Sequence, residues 1–197
     1  MGACCRNGWA DAPEYADGSA FKNLIHQHTN PGGVVKDTAI QKVLMNSISD
    51  GVMRELLQRE GGIELCYDIV NEFYWAVRDA FASDWDGHKP RTSRLVHGAG
   101  IVAMGQVMET LAYFENARTR DKFLVGLQSL QAKTAWTSGE WDFGNGDKRT
   151  WKAIQNFSGD ISLLTEYLVR EVKAAQRERL WEDQGGGLTT EASEVVE

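Results

Sequence analysis

Residues 91–111, RTSRLVHGAGIVAMGQVMETL, decide the fold. They open on a basic, hydroxyl-rich approach of Arg91, Thr92, Ser93 and Arg94, turn through His97-Gly98-Ala99-Gly100, and then become apolar. Ile101, Met104, Met108 and Leu111 recur at three- and four-residue steps with Ala103 and Val107 beside them, so the spacing predicts a helix carrying one apolar stripe. Gly98, Gly100 and Gly105 each cost about 0.8–1 kcal/mol relative to alanine if they lie inside that helix. That cost is explicable where another backbone must come close, or where a helix N-terminus is brought against a partner.

Working outward, residues 63–81 form the clearest long helix. Cys66, Ile69, Val70, Phe73, Val77, Ala80 and Phe81 fall on one side, Glu64, Asp68, Asn71, Glu72, Arg78 and Asp79 on the other, and Tyr74 and Trp75 widen the apolar face. Upstream, Asp37 is a candidate N-cap for a helix using Ile40, Val43 and Leu44, which Ser49-Asp50-Gly51 breaks. A short helix with Val52, Met53, Leu56 and Leu57 ends at Gly61-Gly62. Residues 19–27 read as another short helix, and Asn30-Pro31-Gly32-Gly33 as a turn. Ser83-Asp84-Trp85-Asp86-Gly87 reads as a loop with one large anchor.

Downstream, the central helix runs out near Glu115-Asn116, and residues 119–131 are amphipathic through Phe123, Leu124, Leu127 and Leu130. Trp136, Trp141, Phe143 and Trp151 bracket Gly139 and Gly144-Asn145-Gly146. Asn-Gly suits a tight hairpin, but the flanks do not alternate, so an ordered loop is expected. Ser158-Gly159-Asp160 caps a last helix built on Ile161, Leu164, Leu168 and Val172. The expected class is mainly α: a single compact helical domain of about six helices spanning 20–183, with an ordered Trp/Gly-rich loop. A loose tail is expected over 1–19 and a disordered acidic tail over 184–197.

Composition bounds the function. The 197 residues carry 28 acidic and 21 basic side chains, a formal net charge of −7, which excludes a general nucleic-acid coat but leaves room for a local basic patch. No apolar run approaches the roughly 18–20 residues of a membrane span. Three cysteines (Cys4, Cys5, Cys66) without C-x-x-C spacing fit a reducing cytoplasm and a buried Cys66. The start Met-Gly lacks the Ser or Thr at position 6 that acylation wants; Arg6 stands there.

Few constellations suggest chemistry. His26-x-His28 stands without a carboxylate or cysteine cluster nearby, so no metal is expected. Cys66 lies on an apolar stripe, where a thiol behaves as a small hydrophobe rather than as a nucleophile paired with His97. Glu64, Asp68, Glu72 and Asp79 share what is more simply a solvated face. Residues 144–150 lack phosphate-loop spacing, and no cofactor is implied. His97-Gly98-Ala99-Gly100 is the better anion candidate, with Arg91, Arg94, His97, Gly98 and Gly100 as the contact set for a phosphate or nucleic acid. Against it stands a packing role for the glycines, with Arg94 paired to an acid of the preceding helix. The tryptophans offer either base stacking or core, and core is the simpler use.

In order, NEFYWAVRDAFASDW (71–85), SRLVHGAGIVAMGQVME (93–109), and the Trp/Phe–Gly-Asn-Gly loop with its final helix resemble the C-terminal half of DGQHR-domain proteins. GGVVKDTAIQKVL (32–44) falls where that family has a glycine-hydrophobic segment ahead of a helix. The family includes DndB-type regulators of DNA phosphorothioate modification and related proteins of bacterial DNA-modification and phage-defence islands. The resemblance covers about residues 21–172 and rests on pattern and order. The namesake Asp-Gly-Gln-His-Arg motif, from an N-terminal ParB-like α/β part, is absent; Asp86-Gly87-His88-Lys89-Pro90 is not that motif. The resemblance therefore implies the helical C-terminal portion alone, a truncated or split form to which no catalytic residue transfers. It implies a non-catalytic regulatory or assembly module whose partner is another protein or the missing ParB-like half, with DNA as a further contact. Two rivals remain: a nucleotide- or phosphate-binding enzyme subunit using the helix start at 97–100, and a homo-oligomer built through exposed tryptophans and the small-residue helix face.

Overall fold

The computed structural model describes residues 18–183; the expected tails fall largely outside that span. Gly18 and Ser19 are already tied in: Trp75 Nε1 (2.7 Å) and Asn71 Nδ2 (3.3 Å) donate to Gly18 O, and Ser19 is buried.

The fold is mainly α. Two minimal strands, β1 (Ile25–His26) and β2 (Val35–Lys36), pair in parallel and lead into α1 (Asp37–Asp50), α2 (Val52–Leu56) and α3 (Gly62–Ala80). After α4 (Ala82–Trp85) come the central helix α5 (Gly98–Phe114) and α6 (Arg120–Leu127), which tightens into a 3-10 turn at Gln128–Leu130. An antiparallel hairpin of β3 (Glu140–Asp142) and β4 (Lys148–Thr150) precedes the long α7 (Ser158–Asp183). α5 packs against α7 and α1, while α3 packs against α6.

α5 is the axis. Thirteen of its seventeen residues are buried, so it is apolar on all sides and not along one stripe. Its glycines are what allow neighbours on every side. A Cβ on Gly100 would lie 2.0 Å from Arg94 O, one on Gly105 2.8 Å from Val43 Cγ2, and one on Gly98 2.8 Å from Asn156 Oδ1. α3 is stitched to α5 by the Tyr74 hydroxyl, which donates to Ile101 O at 2.8 Å inside a cluster with Phe21, Phe73 and Trp85. Burial drives that phenol's pKa far upward, so it stays a donor.

Several local expectations are corrected. Residues 19–27 are turns ending in β1, because Asn23 takes a left-handed φ of 60° and stops any helix. Asp37 is the first helical residue of α1 and not its cap; Lys36 holds the extended cap position, and Thr38 N donates to Asp37 Oδ1. Residues 82–85 are one helical turn, with Trp85 buried as the anchor. The glycine loop is a hairpin turn: Gly144, Asn145 and Gly146 all have positive φ, and strands of three residues are too short for alternation to read in the sequence. Ser158 starts α7 itself, and Asp160 reaches back to accept from Gln155 N at 2.9 Å.

Gly100→Ala should therefore destabilise the fold by about 1–3 kcal/mol or more in urea unfolding, because the opposing atoms are backbone. Gly159→Ala, in the first turn of α7 with nothing near its Cβ position, should leave stability unchanged or raise it by about 0.4–1 kcal/mol.

Candidate functional site

The segment entering α5 folds on its own hydroxyls. Thr92 N and Ser93 N donate to Lys89 O, Thr92 Oγ1 accepts from Lys89 N, and buried Ser93 Oγ accepts from Leu95 N. This hydroxyl-rich approach is thus internally satisfied. Arg94, only 7% exposed, turns inward. Its Nη1 donates to Pro90 O (2.6 Å), its Nη2 to Lys152 O (3.0 Å), and its guanidinium lies 5.5 Å from the Trp151 ring. Carbonyl oxygens, and not the expected acid of α3, receive it. Desolvation lowers its pKa from the free-arginine range, but an arginine remains charged, so the site holds a fixed buried cation.

His97 is the N-cap of α5. Its Nδ1 accepts from Ala99 N at 3.3 Å, which requires the neutral ring with its proton on Nε2. Burial first, then the charges of Arg94 and Lys36, push its pKa down to about 4. Asn156 packs over Gly98, and Gly98, Ala99 and Gly100 are all buried. The helix start that reads as the better anion candidate in the sequence is therefore covered by the chain itself.

Of the contact set expected from sequence, Arg91 alone is exposed; Arg94, Gly98 and Gly100 are buried, and His97 is half-buried. The fold adds three exposed lysines to Arg91. Lys89 anchors the Thr92 turn, Lys152 lies where its carbonyl meets the Arg94 guanidinium, and Lys36 is close enough to depress the His97 pKa. Lys36, Lys89, Arg91 and Lys152 make no ion pair among the described residues, whereas Arg78, Arg120, Arg149, Arg170 and Arg179 each do. Lys36 and Lys152 have no local link to Arg91 in the sequence; Arg94 joins the segments of Lys89 and Lys152, and Lys36 comes near through His97.

Several of the remaining sequence candidates serve packing and anchoring. Cys66 is buried with its thiol pKa pushed up to about 11 by desolvation, so it is no nucleophile. Glu72 accepts from Arg120 N and Asp79 grips the Arg120 guanidinium, so those acids anchor α6 to α3. The hairpin cations are neutralised by carboxylates: Lys148 by Asp142, Arg149 by Asp147 and Asp160. Trp136 and Trp141 are core, 5.0 Å apart, with Phe143 and Tyr167 completing one aromatic cluster. His26 and His28 are exposed, and no group of three or more metal-ligating side chains occurs among the described residues. No helix among those residues is long and apolar enough to cross a membrane. Comparison with protein-family models, curated proteins and solved structures gives no match.

The geometry at His97 and Arg94 sets two outcomes. The folded imidazole of His97 (pKa about 4) binds protons less readily than the unfolded one (6.5), so the unfolded chain holds more protons between those values. Stability from this group is complete above pH 6.5 and is lost as pH falls towards 4, by on the order of 1–3 kcal/mol. His97→Asn keeps a capping acceptor without the titration and should flatten that part of the stability–pH curve. Arg94→Lys should lower stability by about 1–3 kcal/mol in urea unfolding, since one ammonium cannot serve both carbonyls and stack on Trp151.

Proposed function

We propose that this chain is a non-catalytic helical module of the DGQHR type, acting in regulation or assembly of a bacterial DNA-modification or phage-defence system. In this reading it meets a nucleic-acid backbone through the basic rim beside the start of α5. The single observation that carries the contact is the collection of Lys36, Lys89, Arg91 and Lys152, all without acidic partners among the described residues, around one buried arginine in a chain of net charge −7. A phosphate backbone asks for such an unpaired cluster, and no base-reading element is required of it. Arg91 is the contact residue retained from the sequence, while Arg94, His97, Gly98 and Gly100 act beneath it by holding the rim in shape.

The regulatory part of the reading rests on the resemblance. Its segments fall on α3 with α4, on the entry and body of α5, and on the hairpin with α7, which are the elements that build the core. A regulatory or assembly module needs surfaces more than a reactive centre, and Cys66, Glu72 and Asp79 are occupied in packing and anchoring. The natural partner in this reading is a ParB-like part, whether on the same or another chain.

Titration of short duplex DNA, read by anisotropy at two salt concentrations, tests the contact. Binding should weaken as salt rises, and Lys89→Ala with Arg91→Ala should reduce the salt slope by about one for each phosphate no longer neutralised, while leaving thermal stability intact. Salt-insensitive binding, or binding indifferent to all four rim substitutions, would remove the rim from the reading.

A further inference from the structure

Beyond Val172, α7 has no fully buried side chain up to Asp183. Ala174, Arg177, Glu178, Trp181 and Glu182 line a shallow groove along one helix face, to which no other element among the described residues contributes. Trp181 is 67% exposed and Leu180 50%. A large indole held in water on an ordered helix is the feature that asks for a partner.

The order of residues along this face identifies the partner. Laid against its own reverse, the segment 173–182, KAAQRERLWE, sets Lys173 opposite Glu182, Ala174 opposite Trp181 and Arg177 opposite Glu178, the positions on or flanking the groove face, whereas Ala175, Gln176, Arg179 and Leu180 turn away from it. Two copies of α7 crossing antiparallel about a two-fold axis between Arg177 and Glu178 bring those complements together. Each Trp181 then meets the small Ala174 of the other chain, and two Arg177–Glu178 pairs close the centre. At the Ala174 end, Lys173 Nζ lies 4.9 Å from the Phe114 ring, which is 51% exposed and stands edge-on to Tyr113, 81% exposed. This exposed aromatic pair lies beside that end of the helix.

We propose that the distal half of α7 is a self-complementary dimerisation surface, whose occupant is the same segment of a second copy of this chain. A two-fold contact has this property by necessity: the same patch serves both sides, and each cross-pair occurs twice. The charge order sets direction and register, and the indoles supply most of the affinity. The groove carries one base, Arg177, and two acids, Glu178 and Glu182, which disfavours an anionic lipid surface or nucleic acid as its occupant. Arg179 already pairs with Glu115 of its own chain, which ties the distal part of α7 to the end of α5. The contact is short, below the roughly 1,200 Å² of a stable complex, so the dimer is weak and concentration-dependent. It stands independently of any nucleic-acid role for the basic rim.

Sedimentation velocity of the full chain across concentration, without nucleic acid, tests it. The wild-type chain should pass from monomer to dimer, and Trp181→Ala should weaken the dimer at least tenfold. Arg177→Glu alone and Glu178→Arg alone should each be monomeric, because like charges then face one another at the centre. Mixing these two variants should restore a dimer, since the paired carboxylates at the centre of one chain would face the paired guanidinium groups of the other. A wild-type chain monomeric up to about 1 mM, a dimer indifferent to the single variants, or a mixture that stays monomeric would overturn the proposal. So would vesicle binding that depends on Trp181 in a chain that remains monomeric.

Discussion

Everything in this fold leans on the close approach of backbone to α5. At Gly100 the carbonyl oxygens of Arg94 and Leu95 occupy the place of a side chain, so the segment entering the helix folds back against the helix it begins. That reversal buries Leu95 and Val96 and points Arg94 inward. The guanidinium then ties the entering segment, at Pro90 O, to the stretch before α7, at Lys152 O. One steric allowance and one buried cation thus join parts of the chain that are far apart in sequence. The remaining helices assemble around this axis: Val43 of α1 meets α5 at Gly105, and Leu111 meets α6 at Gly126.

The hydrogen-bond arrangement follows the same rule. Tyr74 and Tyr167 each send a phenol to a backbone carbonyl, at Ile101 and Lys133, so aromatic bulk and polar satisfaction come from the same side chains. Trp136 and Trp141 are the exception, with indole nitrogens buried and unpartnered in the aromatic cluster. Their rings fill the space between the hairpin, α7 and Phe81, and packing outweighs the two missing hydrogen bonds there.

Charge is divided by place. Across the α3–α6 seam and the hairpin, cations meet carboxylates and serve as fasteners, each exposed pair contributing about 0–1 kcal/mol. The four cations around the entry to α5, and Arg177 and Glu178 on distal α7, make no ion pair among the described residues. Unpaired charge adds little to the stability of a fold, so at these two places it is free to meet a partner: a phosphate-facing rim in one reading, a self-complementary helix face in the other.

Helix positions were readable because the 3.6-residue period is local: Ile69, Phe73 and Val77 mark α3, and Leu164, Leu168 and Val172 mark α7, without knowledge of anything they touch. The presence of close packing was readable too, from glycines at 98, 100 and 105 in an otherwise apolar helix. Two residues of β1 or three of β3 carry no period, so those strands depend on their pairing and not on their sequence. The direction of Arg94 could not be read at all. Its carbonyl partners at Pro90 and Lys152 have no side-chain signature, and a guanidinium turns inward only when tertiary contacts supply acceptors. The sequence by itself determined the helices, their apolar surfaces and the charge order on α7. Tertiary structure alone decided which glycine met which backbone and which cations were left facing water, because those outcomes depend on segments that meet only once the chain has folded.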